Sequence, residues 1–127
     1  MVISMDISGR NKRKLGTDGE DMAAEILSQN GYTILDRNFR FGRLGEIDII
    51  AREKGYICFI EVKTRRSLNY GLPCEAVTAR KQETIRRIAE IYLLRKRLKD
   101  EKLRFDIVEI VLQTDKKNHI NILKNAF

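Results

Sequence analysis

Two apolar runs of this chain carry charges that a buried strand ordinarily excludes: Gly45-Glu46-Ile47-Asp48-Ile49-Ile50-Ala51 and Tyr56-Ile57-Cys58-Phe59-Ile60-Glu61-Val62-Lys63-Thr64-Arg65. An unpaired buried charge is strongly disfavoured, so Asp48, Glu61 and Lys63 must be compensated by one another or by a metal. Side chains alternate across a strand, and a slip of one residue reverses every face. Arg52-Glu53-Lys54-Gly55 reads as the turn, with Arg52 opposite Gly55 or Glu53 opposite Tyr56. In either register Glu46, Asp48 and Ile50 share a face with Phe59, Glu61, Lys63 and Arg65, while Ile47, Ile49, Ala51, Cys58, Ile60 and Val62 form an apolar face that must be core. Two neighbouring carboxylates repel, and a divalent cation between them relieves the repulsion. Mg2+ (or Mn2+) is the expected ion, because it accepts one or two carboxylates, keeps several waters and completes its shell with a substrate phosphate or a carbonyl such as that of Val62. Such an ion acidifies water, and the Lys63 amine can orient that water or accept its proton for attack on phosphorus.

The flanking segments have to position this hairpin. Thr17 or Asp18 can cap a helix running to about Asn30, with Gly31 as its stop. Glu20, Ala23, Ala24 and Leu27 fall at i, i+3, i+4 and i+7, which turns Glu20 inward as a candidate third carboxylate; its alternative role is that of an acid favoured by the helix macrodipole. Tyr32 to Phe41 reads as a strand leading into the hairpin, and Ser67 to Pro73 as a polar loop. A long helix is expected from about Thr78 to Leu98, buried along Ile85, Ile88, Ala89 and Tyr92. Lys81 is in phase with that stripe and is placed either to reach the pocket or to snorkel to solvent. Arg104 to Leu112 and His119 to Leu123 complete the order α-β-β-β-α-β-β, an α/β fold with a central mixed β-sheet and helices packed on it. The strand after the long helix should run parallel to its neighbour.

The 127 residues fit one domain over 15–127, preceded by a mobile basic tail over 1–14. A formal net charge of +7 favours polyanionic partners. Arg10, Lys12, Arg13 and Lys14, then Arg37, Arg40 and Arg43, then Arg65 and Arg66 either line a groove around the acids or are ordinary solvated charges. No stretch reaches the ~20 apolar residues of a membrane span, and Met1 to Ile7 lacks the pattern of a signal peptide, so a cytoplasmic location and no membrane partner are expected. Cys58 and Cys74 with the single His119 do not make a zinc site; Cys58 reads as core, and the lone histidine argues against a His-based triad.

Asp48 followed after twelve residues by Glu61-Val62-Lys63 resembles the D…ExK core of the PD-(D/E)xK, restriction-endonuclease-like nucleases. Gly19-Glu20 with Ala23-Ala24, Gly45-Glu46-Ile47-Asp48, Phe59 to Arg65, Glu75-Ala76-Val77, Lys81 and Arg104-Phe105-Asp106 together resemble the YraN family of small endonucleases, from about Gly16 to about Val111. Glu46-Ile47 stands where the namesake motif has a proline and its neighbour. The resemblance implies a Mg2+-dependent endonuclease with Asp48, Glu61 and Glu20 as metal ligands, Lys63 as a catalytic group, and Lys81 or Gln82 as a further polar contributor. Arg43, Arg65, Arg66, Lys81, Arg13 and Lys14 are the expected nucleic-acid contacts, with Arg65 on a phosphate. Similarity to Holliday-junction resolvases implies branched DNA and a homodimer, for which Ile120, Ile122 and Phe127 on a terminal edge strand offer a surface. The alternative is a non-catalytic basic nucleic-acid-binding module on a nuclease-like fold.

Overall fold

The computed structural model describes residues 2–5, 15–65, 77–112 and 118–127. Lys54 and Gly55 form a two-residue turn with both φ angles positive, 51° and 81°. That is the type I′ geometry whose twist matches paired strands. It sets Glu53 opposite Tyr56 and, strand by strand, Ala51 opposite Cys58 and Ile49 opposite Ile60, one of the two registers expected from parity.

In chain order the elements are β1 (Val2–Met5), α1 (Leu15–Gln29), β2 (Thr33–Phe41), β3 (Gly45–Glu53), β4 (Tyr56–Arg65), α2 (Ala79–Arg95), β5 (Lys102–Val111) and β6 (Asn118–Leu123). They build one six-stranded mixed sheet, ordered β1-β6-β5-β4-β3-β2. Only β4 and β5 are parallel, joined through α2 as a helical crossover permits. Each helix covers one face. Met22, Ala23, Ile26 and Leu27 of α1 pack with Ile49, Ala51, Cys58, Ile60, Val108 and Ile110, and Ile85, Ile88, Ala89 and Tyr92 of α2 pack with Ile50, Ile57, Phe59, Phe105 and Ile107. The expected stripe of α2 is therefore the observed one, and Cys58 is core. The architecture is α/β with helices on a central mixed sheet, consistent with a restriction-endonuclease-like fold. Among the described residues no helix is long and apolar enough to cross a membrane.

Four expectations change. Val2–Met5 is not tail but an edge strand, pairing Met5 to Val2 with Asn118 to Asn121; four residues held by backbone hydrogen bonds leave no period to read. Because β1 covers β6, the strand bearing Ile120 and Ile122 is not an edge, and both side chains are buried in the α1-side core. Phe127 instead stacks on Phe105 at 5.4 Å between centroids. The surface expected for dimerisation is thus used within the chain. Helix α1 starts at Leu15, so Thr17 and Asp18 lie inside its first turn rather than capping it, and Met22 and Ile26 join its buried stripe. Its end is as expected: Gly31 at φ 90° lets the Tyr32 N–H return to the Leu27 carbonyl. Arg10, Lys12, Arg13, Lys14, Arg66, the Ser67 to Pro73 loop and Cys74 lie outside the described residues.

Candidate active site

The acids meet where the sheet comes apart. Pairing between β3 and β4 ends at Ile49–Ile60, and the next residues along are Asp48 and Glu61. A β4 amide that β3 no longer reaches needs another acceptor. Asp48 Oδ2 supplies it, accepting the Val62 N–H at 2.8 Å. On the other side of β3, Arg37 pairs with Ile49 and Phe39 with Ile47, leaving Asn38, at φ 53°, across from Asp48. The ribbon turns over at this step. Ile49 packs toward α1, but Ile47 packs with the α2-side core, correcting the simple alternation that put both on one face. A positive φ in the neighbouring strand is invisible to a period-two reading.

Both helices are fitted closely to this end of the sheet. A Cβ on Gly19 would stand 2.7 Å from Thr64 Oγ1, so with Thr64 as it lies a glycine is what lets the first turns of α1 come this near β4. Glu20 follows directly. On the other face, the Thr78 hydroxyl caps α2 by accepting from Lys81 N–H at 3.1 Å. Gln82 Nε2 donates to the Val77 carbonyl at 3.0 Å, which ties it to the helix start. Of the two residues left open on α2, Lys81 is the one in the electrostatic reach of both Asp48 and Glu61.

Asp48 and Glu61 are 8% and 6% exposed. Burial pushes the Glu61 carboxyl up to about 7; the Asp48 charge pushes the same way, against Lys81 and Lys63. Burial also raises Asp48, opposed by the Val62 N–H and by Lys81 and Lys63, with Glu46 adding to the rise. Glu20 is raised by burial and then by Asp48 and Glu46, while Arg37 and Asn38 lower it. Glu20, Glu46, Asp48, Glu61, Lys63 and Lys81 therefore form one electrostatic neighbourhood. Lys63 Nζ lies 3.5 Å from Glu61 Oε1. Glu61 Oε2 is buried and makes no hydrogen bond among the described residues. That orphaned oxygen, with its pKa raised by a neighbouring acid, fits a divalent cation held by Asp48 and Glu61 with Glu20 nearby. Among the described residues no three metal-binding side chains already converge as a cage, and Mg2+ requires only one or two carboxylates.

The cations divide. Arg43 is exposed on the β2–β3 turn, at the acidic end of the sheet. Arg40 pairs with Glu46 at 3.7 Å and Arg37 with Asp21 at 2.7 Å. Arg65 does not face solvent: its side chain is 11% exposed and ion-paired with Glu109. Glu109 escaped the sequence reading, although the signal was the one that found Asp48, an acid inside an apolar run, here Ile107-Val108-Glu109-Ile110-Val111.

Comparison with known proteins locates the chain. The family described as "Uncharacterised protein family UPF0102" matches residues 19–110, a span that takes in every residue of the site just described. A UPF0102 protein of Acetivibrio thermocellus is 54% identical over 92% of this chain and 93% of its own length. Those of Caldicellulosiruptor saccharolyticus and Clostridium botulinum are 51% and 46% identical, covering 92% and 91% of this chain and 99% and 94% of theirs. With near full-length similarity at these identities, the chain belongs to the UPF0102 family, the YraN family that its motifs resemble.

Proposed function

We propose that the protein is a metal-dependent endonuclease that hydrolyses phosphodiester bonds of DNA, branched DNA in particular. The observation that carries this reading is the pairing of two buried carboxylates, Asp48 and Glu61, with Lys63 beside them and a buried Glu61 oxygen that no group among the described residues satisfies. Asp48, Glu61 and Glu20 would hold Mg2+ or Mn2+, and the ion would acidify water and offset charge on the attacked phosphate. Asp48 is held in place through Oδ2, which accepts the Val62 N–H. Lys63 holds the attacking water in line with the scissile P–O bond, and the leaving oxygen departs on the opposite side. Lys81 and Arg43 draw the phosphate chain toward acids that would otherwise repel it. Backbone shape and charge govern recognition, because the chain carries no helix-turn-helix, zinc-finger or RNA-binding aromatic signature.

The test is nicking of branched, flapped, single-stranded and duplex DNA and of RNA with Mg2+ or Mn2+, alongside calorimetric metal titration. Asp48→Ala should abolish nicking while nucleic-acid affinity stays equal or rises, since repulsion of phosphate falls. Wild-type cleavage by a folded Asp48→Ala protein would remove the proposal. Salt-dependent binding with neither metal uptake nor cleavage would establish a non-catalytic binding module in its place.

A further inference from the structure

The face of β4 that carries Glu61 continues through Lys63 to Arg65, and β5 presents Glu109 directly opposite Lys63 in the parallel register. Glu109 is 4% exposed, flanked by Val108 and Ile110, which are wholly buried. Lys63 thus stands between the acid pair, through Glu61 two residues back on the same face, and Glu109, one strand spacing away at roughly 5 Å and within reach of its four-carbon stem. Its ammonium lies with Glu61. Arg65, the next residue on that face, is ion-paired with Glu109.

We propose that Arg65 and Glu109 are positioning residues that hold Lys63 on Glu61: by neutralising Glu109, Arg65 removes the competing carboxylate and leaves the lysine ammonium at the acid pair. The inference rests on the reading of Lys63 as a catalytic group. A buried carboxylate that loses its partner recruits another cation, and Lys63 is the one beside it in the register. Without Arg65 the lysine swings across the strand gap and leaves the pocket. Without both Arg65 and Glu109 there is nothing to draw it away. The 11% exposure of the Arg65 side chain and its ion pair through Nη2 favour this role over direct capture of a phosphate, the other reading open to its Nε and Nη1, which are buried and make no hydrogen bond among the described residues.

The experiment is a set of crystal structures and single-turnover Mn2+-dependent cleavage rates for the parent, Glu109→Gln, Arg65→Met and the double variant Arg65→Met/Glu109→Met. Arg65→Gln is included in case Arg65→Met does not fold, since its amide can still hydrogen-bond Glu109 without carrying charge. Expected is Lys63 on Glu61 in the parent, Glu109→Gln and the double variant, and on Glu109 in the Arg65 single variants. Cleavage should fall about a hundredfold in the Arg65 single variants, the scale of losing a positioned proton-handling group, stay at the parent rate in Glu109→Gln, and recover in the double. Lys63 remaining on Glu61 in the Arg65 single variants would overturn the inference. So would a double variant as slow as the single ones, the result expected if Arg65 itself gripped substrate. If the parent cleaves no substrate, the proposed function fails, and the position of Lys63 across the set still decides this inference.

Discussion

Replacing Glu61 with Gln should make the metal-free protein more stable, and only at higher pH. A carboxyl whose pKa rises from 4.5 unfolded to about 7 folded favours the protonated form in the native state by about 3 kcal/mol. The sign is set by which state holds the proton. Below pH 4.5 both states are protonated and the group is neutral in its effect. Between 4.5 and about 7 the native state binds more protons than the unfolded one, so stability falls as pH rises, and above 7 the full loss persists. Glutamine keeps the volume and cannot ionise, so it lacks this descent. Chemical denaturation in the presence of a chelator should show Glu61→Gln equal to the parent near pH 4.5 and up to about 3 kcal/mol more stable at pH 8, trimmed by whatever Lys63 loses with its partner. At about 4 °C per kcal/mol for a chain of 127 residues, the thermal midpoint at pH 8 should rise by up to roughly 12 °C. Added Mn2+ should then stabilise the parent at pH 8 and not the variant, because binding to the native state alone raises its stability. A variant no more stable than the parent at pH 8, or shifted equally at both pH values, would refute the reasoning that burial strains this carboxylate.

Gly19→Ala forces Thr64 or the start of α1 to move, because the new methyl would stand 2.7 Å from Thr64 Oγ1; cleavage should drop more than stability as Glu20 is displaced, and Gly19→Ala/Thr64→Ala should recover it in the same nicking assay. Arg104→Met strands Asp106 and Glu53 without their shared cation, and denaturant melts should show a loss of about 3–5 kcal/mol.

Much of the site was legible because a charged residue inside an apolar run is a contradiction that demands a structure. The alternation of β3 and β4 placed Asp48, Glu61 and Lys63 together, and the I′ turn at Lys54-Gly55 realised one of the two registers that alternation allowed. What was lost depended on features without a period. Asp48 lies across from Asn38, whose φ is positive, and Ile47 packs on the opposite side of the sheet from the one its alternation with Ile49 predicts. Strand β1 is too short to carry a pattern, and its presence converts β6 from edge to interior. Arg65, expected on a phosphate, is ion-paired with Glu109, which is 44 positions away in the chain and becomes its neighbour only through the crossover that makes β4 and β5 parallel.

The same sheet holds a second buried acid at its turn end, Glu53, and its surroundings differ from those of Glu61. Glu53 is 4% exposed and Glu61 6%, so desolvation acts strongly on both. Burial alone would raise Glu53, but Arg104 at 2.9 Å and Lys124 at 3.2 Å outweigh it and hold the carboxyl below its ordinary value. Arg104 is itself fixed by Asp106 at 2.9 Å, and Asp106 accepts further from Tyr32 at 3.0 Å and the Asn125 N–H at 2.9 Å. Every charge there has a donor or an opposite charge supplied by the chain, the arrangement of an element that holds β3, β4, β5 and the end of β6 together. At the other end Glu61 has Lys63 at 3.5 Å on one oxygen, no hydrogen bond to the other among the described residues, and a second carboxylate alongside. Burial wins there and the pKa rises. Among the described residues the same strand pair thus carries one buried acid neutralised by two cations and another with an oxygen that none of them satisfies, the contrast on which the proposed divalent-cation site rests.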